Sequence, residues 1–127
     1  MPFDALPTEI PVLEPLLPKE RSLINLRKLI TILRTTTLAQ CKSKLKNDDG
    51  EFCGLGLWYH NNNVPMMKTR CGVWGISFTG LFEEQDWSLP KAVFQLVPQW
   101  NDAGDSFPVI ADKLEAKYAH ELSSVNL

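Results

Sequence analysis

Cys53 has the surroundings that come nearest to making a nucleophile. It follows Glu51 and Phe52 and opens the run Cys53-Gly54-Leu55-Gly56-Leu57-Trp58-Tyr59. At a helix start the dipole would acidify the thiol, and a histidine could accept its proton in a cysteine-dependent hydrolase. His60 and His120 are the only histidines. One sits in an asparagine-rich loop and the other near the C-terminal end, and neither place fixes a base. A small buried hydrophobe accounts for Cys53 more simply.

Other chemistries find less to work with. Cys41, Cys53, Cys71 and His60 lack the close pairing of structural zinc sites. Asn101, Asp102 and Asp105 break the alternate-acid order of a calcium loop, and a turn explains them equally well. Gly54 and Gly56 lack the third glycine and the lysine or acid of phosphate-binding loops. No G-x-S-x-G elbow occurs. The sequence therefore predicts no catalytic residue, no metal and no cofactor.

The polar turn Asn101-Asp102-Ala103-Gly104-Asp105-Ser106 offers a different kind of site. Asp105 or Ser106 is positioned to cap the following helix, and Pro108 suits its first turn. The expected role of Asn101, Asp102 and Ser106 is structural, with side chains bonded to the backbone of residues 103–109. A ligand site at the same three residues is the functional alternative.

Charge supplies the last candidate. The net charge is −2, yet residues 19–46 carry eight basic residues against one acid, and the rest of the chain is acidic. Lys42, Lys44 and Lys46 alternate, so a strand could present all three to phosphates as a weak nucleic-acid binder. A solvated or internally paired face is the plainer reading.

These residues need elements to hold them. At 127 residues the chain suits one domain. Leu23, Leu26, Leu29, Ile30 and Leu33 recur at helical spacing, predicting a helix from Lys19 to about Thr35 with Pro18 at its start. The run from Cys53 to Tyr59 fits strand and helix alike. Trp74, Ile76 and Phe78 alternate as in a strand. Leu89-Pro90 opens a short helix with Val93, Phe94 and Val97 inward, which Pro98 should end. Phe107, Ile110, Ala111, Leu114, Tyr118 and Leu122 then form one apolar helical stripe.

Residues 1–18 hold five of the nine prolines among seven large apolar residues. Such a segment reads as an extended arm laid along an apolar groove, on its own domain or on a second copy. No apolar run reaches the length of a membrane span, and the start lacks the form of a signal peptide. Three cysteines in such a chain read as reduced thiols, and the expected location is the cytoplasm.

Three blocks together resemble a family of small bacterial and phage-encoded proteins of uncharacterised function. They are GEFCGLGL (residues 50–57) after Gln40 and its basic run, LPKAVFQL (residues 89–96) and WNDAGDSFPVIADKLE (residues 100–115). Family members carry fCcLGvl, lp..v..w and lnD.g.sF..IAd.Ie in that order. Here Gly54 stands where a second cysteine is common, and the proline-rich arm is additional. The resemblance implies a small α+β domain with residues 53–59 helical, and it assigns no reaction. The reading that results is an α+β domain over residues 19–127, with an N-terminal helix, a short antiparallel sheet and a C-terminal helix. Its expected role is a non-catalytic interaction module for a protein partner or its own copy.

Overall fold

Helix α1 (Pro18–Thr35) takes shape where the sequence places it, with Pro18 supplying a first-turn residue that has no amide to satisfy. The computed structural model describes residues 17–125. The expected arm lies outside the described residues, except that Leu17 is extended and Pro18 already belongs to α1. Leu23, Leu26, Leu29, Ile30 and Leu33 are buried along one face. That face packs most extensively against α4 (Phe107–Lys117), which contributes Phe107, Ile110, Ala111 and Leu114.

Between these two helices lie α2 (Gly54–Asn61) and α3 (Val93–Asp102). The ambiguity over residues 53–59 resolves as helix, and residues 54–59 are all buried. A helix apolar all round belongs in the core, so periodicity could not identify it. It also runs two residues into the expected loop, through His60 and Asn61. A two-stranded antiparallel sheet, β1 (Met66–Lys68) with β2 (Trp74–Ile76), sits at the margin in the register Met67 to Gly75. The architecture is thus a small α+β domain with, among the described residues, five α-helices, a 3-10 turn at Phe82–Glu84 and one hairpin. Among the described residues no helix is long and apolar enough to cross a membrane.

Three expectations about element boundaries fail. Residues 42–46, where a strand could have aligned three lysines, form none. Ser43 adopts a left-handed conformation, and the loop wraps Phe52 through isolated bridges to Gln40 and Lys46. Lys42, Lys44 and Lys46 are therefore not aligned on one edge. Pro98 does not end its helix: α3 continues to Asp102, because Val93, Val97 and Asn101 share one buried face. The missing proline amide removes one ladder bond, and burial on either side outweighs it. The last stripe is split, since the chain bends at Tyr118 and restarts as α5 (Ala119–Ser123). Leu122 stays buried after the bend, and its carbonyl accepts a bond from Arg27 at 2.7 Å.

Gly56 marks the tightest approach in the fold. A Cβ at this position would overlap the carbonyl oxygen of Leu45, which cannot yield because it accepts from the Cys53 amide. Gly54 instead faces the buried side chain of Val97, where a Cβ would lie 2.5 Å from Cγ1 and force that side chain to shift. Alanine favours a helix over glycine by about 1 kcal/mol, but overpacking costs about 1–3 kcal/mol. In urea denaturation, Gly56→Ala should lose about 2 kcal/mol and Gly54→Ala about 1 kcal/mol, since a side chain can shift where a paired backbone carbonyl cannot. A neutral Gly56→Ala would mean that the Leu45 loop is not held against α2.

Candidate functional site

Two places bring polar chemistry together: a buried corner at the end of α3 and a cleft beside α1. The corner is centred on Asn101, whose side chain is fully buried. Its Nδ2 donates to the Cys41 carbonyl at 2.7 Å, and its Oδ1 accepts from Gln40 Nε2 at 2.8 Å and from the Gly54 amide at 3.2 Å. Gln40 Nε2 also donates to the Asp105 carbonyl at 2.7 Å. Asp102 is exposed and accepts from the amide of Ser43 at 2.7 Å.

The partners differ from those the sequence suggests. Asn101 and Asp102 reach across to residues 40–54 rather than to their own turn, which closes through backbone bonds alone. There the Gly104 amide meets Asn101 O and the Asp105 amide meets Trp100 O, with Gly104 at positive φ as that cap requires. Ser106 occupies the N-cap of α4, yet its side chain makes no capping bond. Asp105 pairs with Lys113 instead of capping. Gln40 is the corner residue that sequence reasoning left without a role. Its only signal is a polar residue shortly before a buried glycine helix.

Cys53 lies at the N-cap of α2, where its Sγ accepts the Gly56 amide at 3.3 Å. The helix-start amides favour thiolate, but burial dominates and pushes the thiol above its usual value. Among the described residues no histidine hydrogen-bonds to it. His60 stacks on Phe52, with ring centroids 4.7 Å apart. Cys41 is buried and likewise raised by desolvation, whereas Cys71 is exposed. The described residues contain no cluster of His, Cys, Asp and Glu suited to a metal ion.

Half of the basic stretch, its three arginines and Lys46, is engaged within the chain. Arg34 bridges Asp112 and Glu115, and Arg21 and Arg27 donate to the carbonyls of Glu84 and Leu122. Lys46 lies 3.9 Å over the ring of Trp74.

The cleft has a volume of about 630 Å³. Leu23, Phe82, Leu89, Pro90, Phe94 and Tyr118 form its apolar walls, and its rim carries Lys19, Lys91, Glu83 and Glu121. Two polar hooks shape its floor. Asn25, buried on the apolar face of α1, donates to the carbonyls of Asp86 and Ser88 at 2.7 and 2.8 Å. Trp58 Nε1 donates to the Trp87 carbonyl at 2.8 Å. Phe82 then packs edge-on against Phe78 and Trp87 and tilts against Phe94, with centroids about 5 Å apart. The sequence reading passed over Asn25, one amide among leucines whose carbonyl partners lie some sixty residues away. No family model matches the chain, and no curated protein or solved structure does either.

Replacing Asn101 strands the Gly54 amide and the Cys41 carbonyl and takes one of two acceptors from Gln40, and each unpaired buried group costs about 1–3 kcal/mol. Asn101→Ala should therefore lose about 3 kcal/mol or more in urea denaturation, Asp102→Ala about 1, and Ser106→Ala less than about 0.5. Equal losses at all three positions would contradict this hydrogen-bond pattern. Thiol labelling gives a separate check. In the folded protein at neutral pH, Cys71 should react rapidly, and Cys41 and Cys53 only on the timescale of unfolding. A fast reaction at Cys53 would restore the nucleophile reading.

Proposed function

We propose that the protein is a non-catalytic interaction module that docks an extended apolar segment of a partner protein in the cleft beside α1. One observation carries the reading: Phe82, a wall of the cleft, stays 43% exposed at the edge of the aromatic cluster. Uncovered apolar surface rimmed by charge is how a docking surface differs from ordinary solvent-facing chain. Aromatic-walled grooves suit extended, proline-punctuated segments, whose backbone is already stiff and makes no internal hydrogen bonds. On this reading it acts in the cytoplasm as a bacterial or phage accessory protein, in keeping with the resemblance of its three sequence blocks.

The competing functions draw less support. A hydrolase would need Cys53 ionised and paired with a base, and burial works against the first condition. A nucleic-acid surface would need free cations, and the three arginines of α1 are bonded within the chain.

Panning a displayed peptide library against the protein tests the reading. Apolar, proline-containing peptides should be enriched, and Phe94→Lys should weaken them at least tenfold while the helical circular dichroism persists. Peptides that bind the Phe94→Lys protein equally well would overturn the proposal.

A further inference from the structure

We infer that the cleft's resident occupant is the chain's own N-terminal segment, residues 1–16, docked within the same molecule, so that a partner segment must displace it. The inference rests on the docking reading above and names what occupies that site first.

The position of the tether is the starting observation. Pro18, Lys19 and Ser22, from the first turn of α1, themselves line the cleft. The residue before them, Leu17, has φ −61° and ψ 147°, the polyproline backbone, and its side chain is 64% exposed. The described chain therefore begins beside the cleft wall, with Leu17 itself in the conformation that aromatic-lined grooves accept. Sixteen further residues at about 3.1 Å each span about 50 Å, ample to cross a cleft of this size.

Composition fits the walls. The segment holds Phe3, Leu6, Ile10, Val12, Leu13 and Leu16, punctuated by Pro2, Pro7, Pro11 and Pro15. Prolines keep its carbonyls free of internal bonds. The rim carries two charges of each sign, so apolar contact and not charge selects the occupant. Tethering raises the local concentration to about millimolar, which lets contacts too weak between molecules hold within one.

Photo-crosslinking in the full chain tests this directly. With p-benzoylphenylalanine in place of Leu13, irradiation of a dilute sample should give adducts at monomer mass, on cleft residues such as Leu89, Phe94 or Tyr118. An excess of a synthetic peptide of residues 1–16 should reduce them several-fold, a measurement that needs no cleft variant to fold. Adducts outside the cleft, no adduct, or adducts at dimer mass would overturn the inference, the last by placing a second copy's segment there. Peptides selected by panning should also bind the Leu13→Ser/Leu16→Ser chain several-fold more tightly than the natural chain. Equal affinity, with binding still dependent on Phe94, sinks the resident segment and leaves the docking function standing. No Phe94-dependent peptide on either chain sinks the docking function itself.

Discussion

The fold depends on a neutral amide buried in a mostly apolar interior. Asn101 has no exposed surface, and it joins three pieces of chain that share no regular ladder: the loop at Gln40 and Cys41, the start of α2, and the end of α3. The chemistry leaves little choice of residue. Aspartate could accept from Gly54 and Gln40 but could not donate to the Cys41 carbonyl. Leucine would fill the space and leave the Gly54 amide and the Cys41 carbonyl unpaired, with Gln40 keeping only Asp105, at a cost that grows in low dielectric. The amide reaches its place only because α3 persists beyond Pro98, which keeps Val93, Val97 and Asn101 on one buried face. An apparent helix breaker is thus overruled by the packing of the residues on either side of it.

The start of α2 shows the same economy of partners. The first amides of a helix have no carbonyl within it to meet. Here the Gly54 amide is met by Asn101 and the Gly56 amide by the Cys53 sulfur. Gly56 also lets α2 sit directly on the Leu45 backbone. A thiol used as a helix cap and enclosed this way is drawn in two directions. The amides it faces favour its ionised form, and the loss of water opposes it. The second effect is the larger, so a placement that would activate an exposed cysteine here yields a structural one.

How much of this was legible depended on where each residue's partner lies. The faces of α1 and α4 could be read because burial there follows a 3.6-residue period, which a sequence displays directly. Helix α2 could not be separated from a strand, because it is buried on every side and carries no period. Only one strand of the hairpin was visible, as Trp74 and Ile76 alternate while Met66–Lys68 does not. The corner was half legible. The composition of residues 101–106 announced a polar turn, but local hydrogen bonding was the wrong inference for Asn101 and Asp102. Their partners stand about sixty residues earlier. Ser106 has the right residue type and backbone for a cap and still makes no bond, since type and position do not fix a rotamer.

The same dependence on distant partners explains why a cleft survives beside α1. Apolar walls left in water forgo about 25 cal/mol for each Å² that collapse would bury. Collapse here would have to move residues 86–88, and those are held from two sides. Asn25 grips the carbonyls of Asp86 and Ser88 from α1, and Trp58 grips the carbonyl of Trp87 from the core. Shifting the segment would break three hydrogen bonds at once and leave their donors and acceptors unpaired in the interior, which opposes the burial that collapse offers. Phe82 cannot close the gap alone, because its ring is already engaged edge-on by Phe78 and Trp87 and in a tilted arrangement by Phe94. The polar hooks that complete the core therefore also keep its apolar margin open. The surface that remains uncovered follows from how the interior is satisfied.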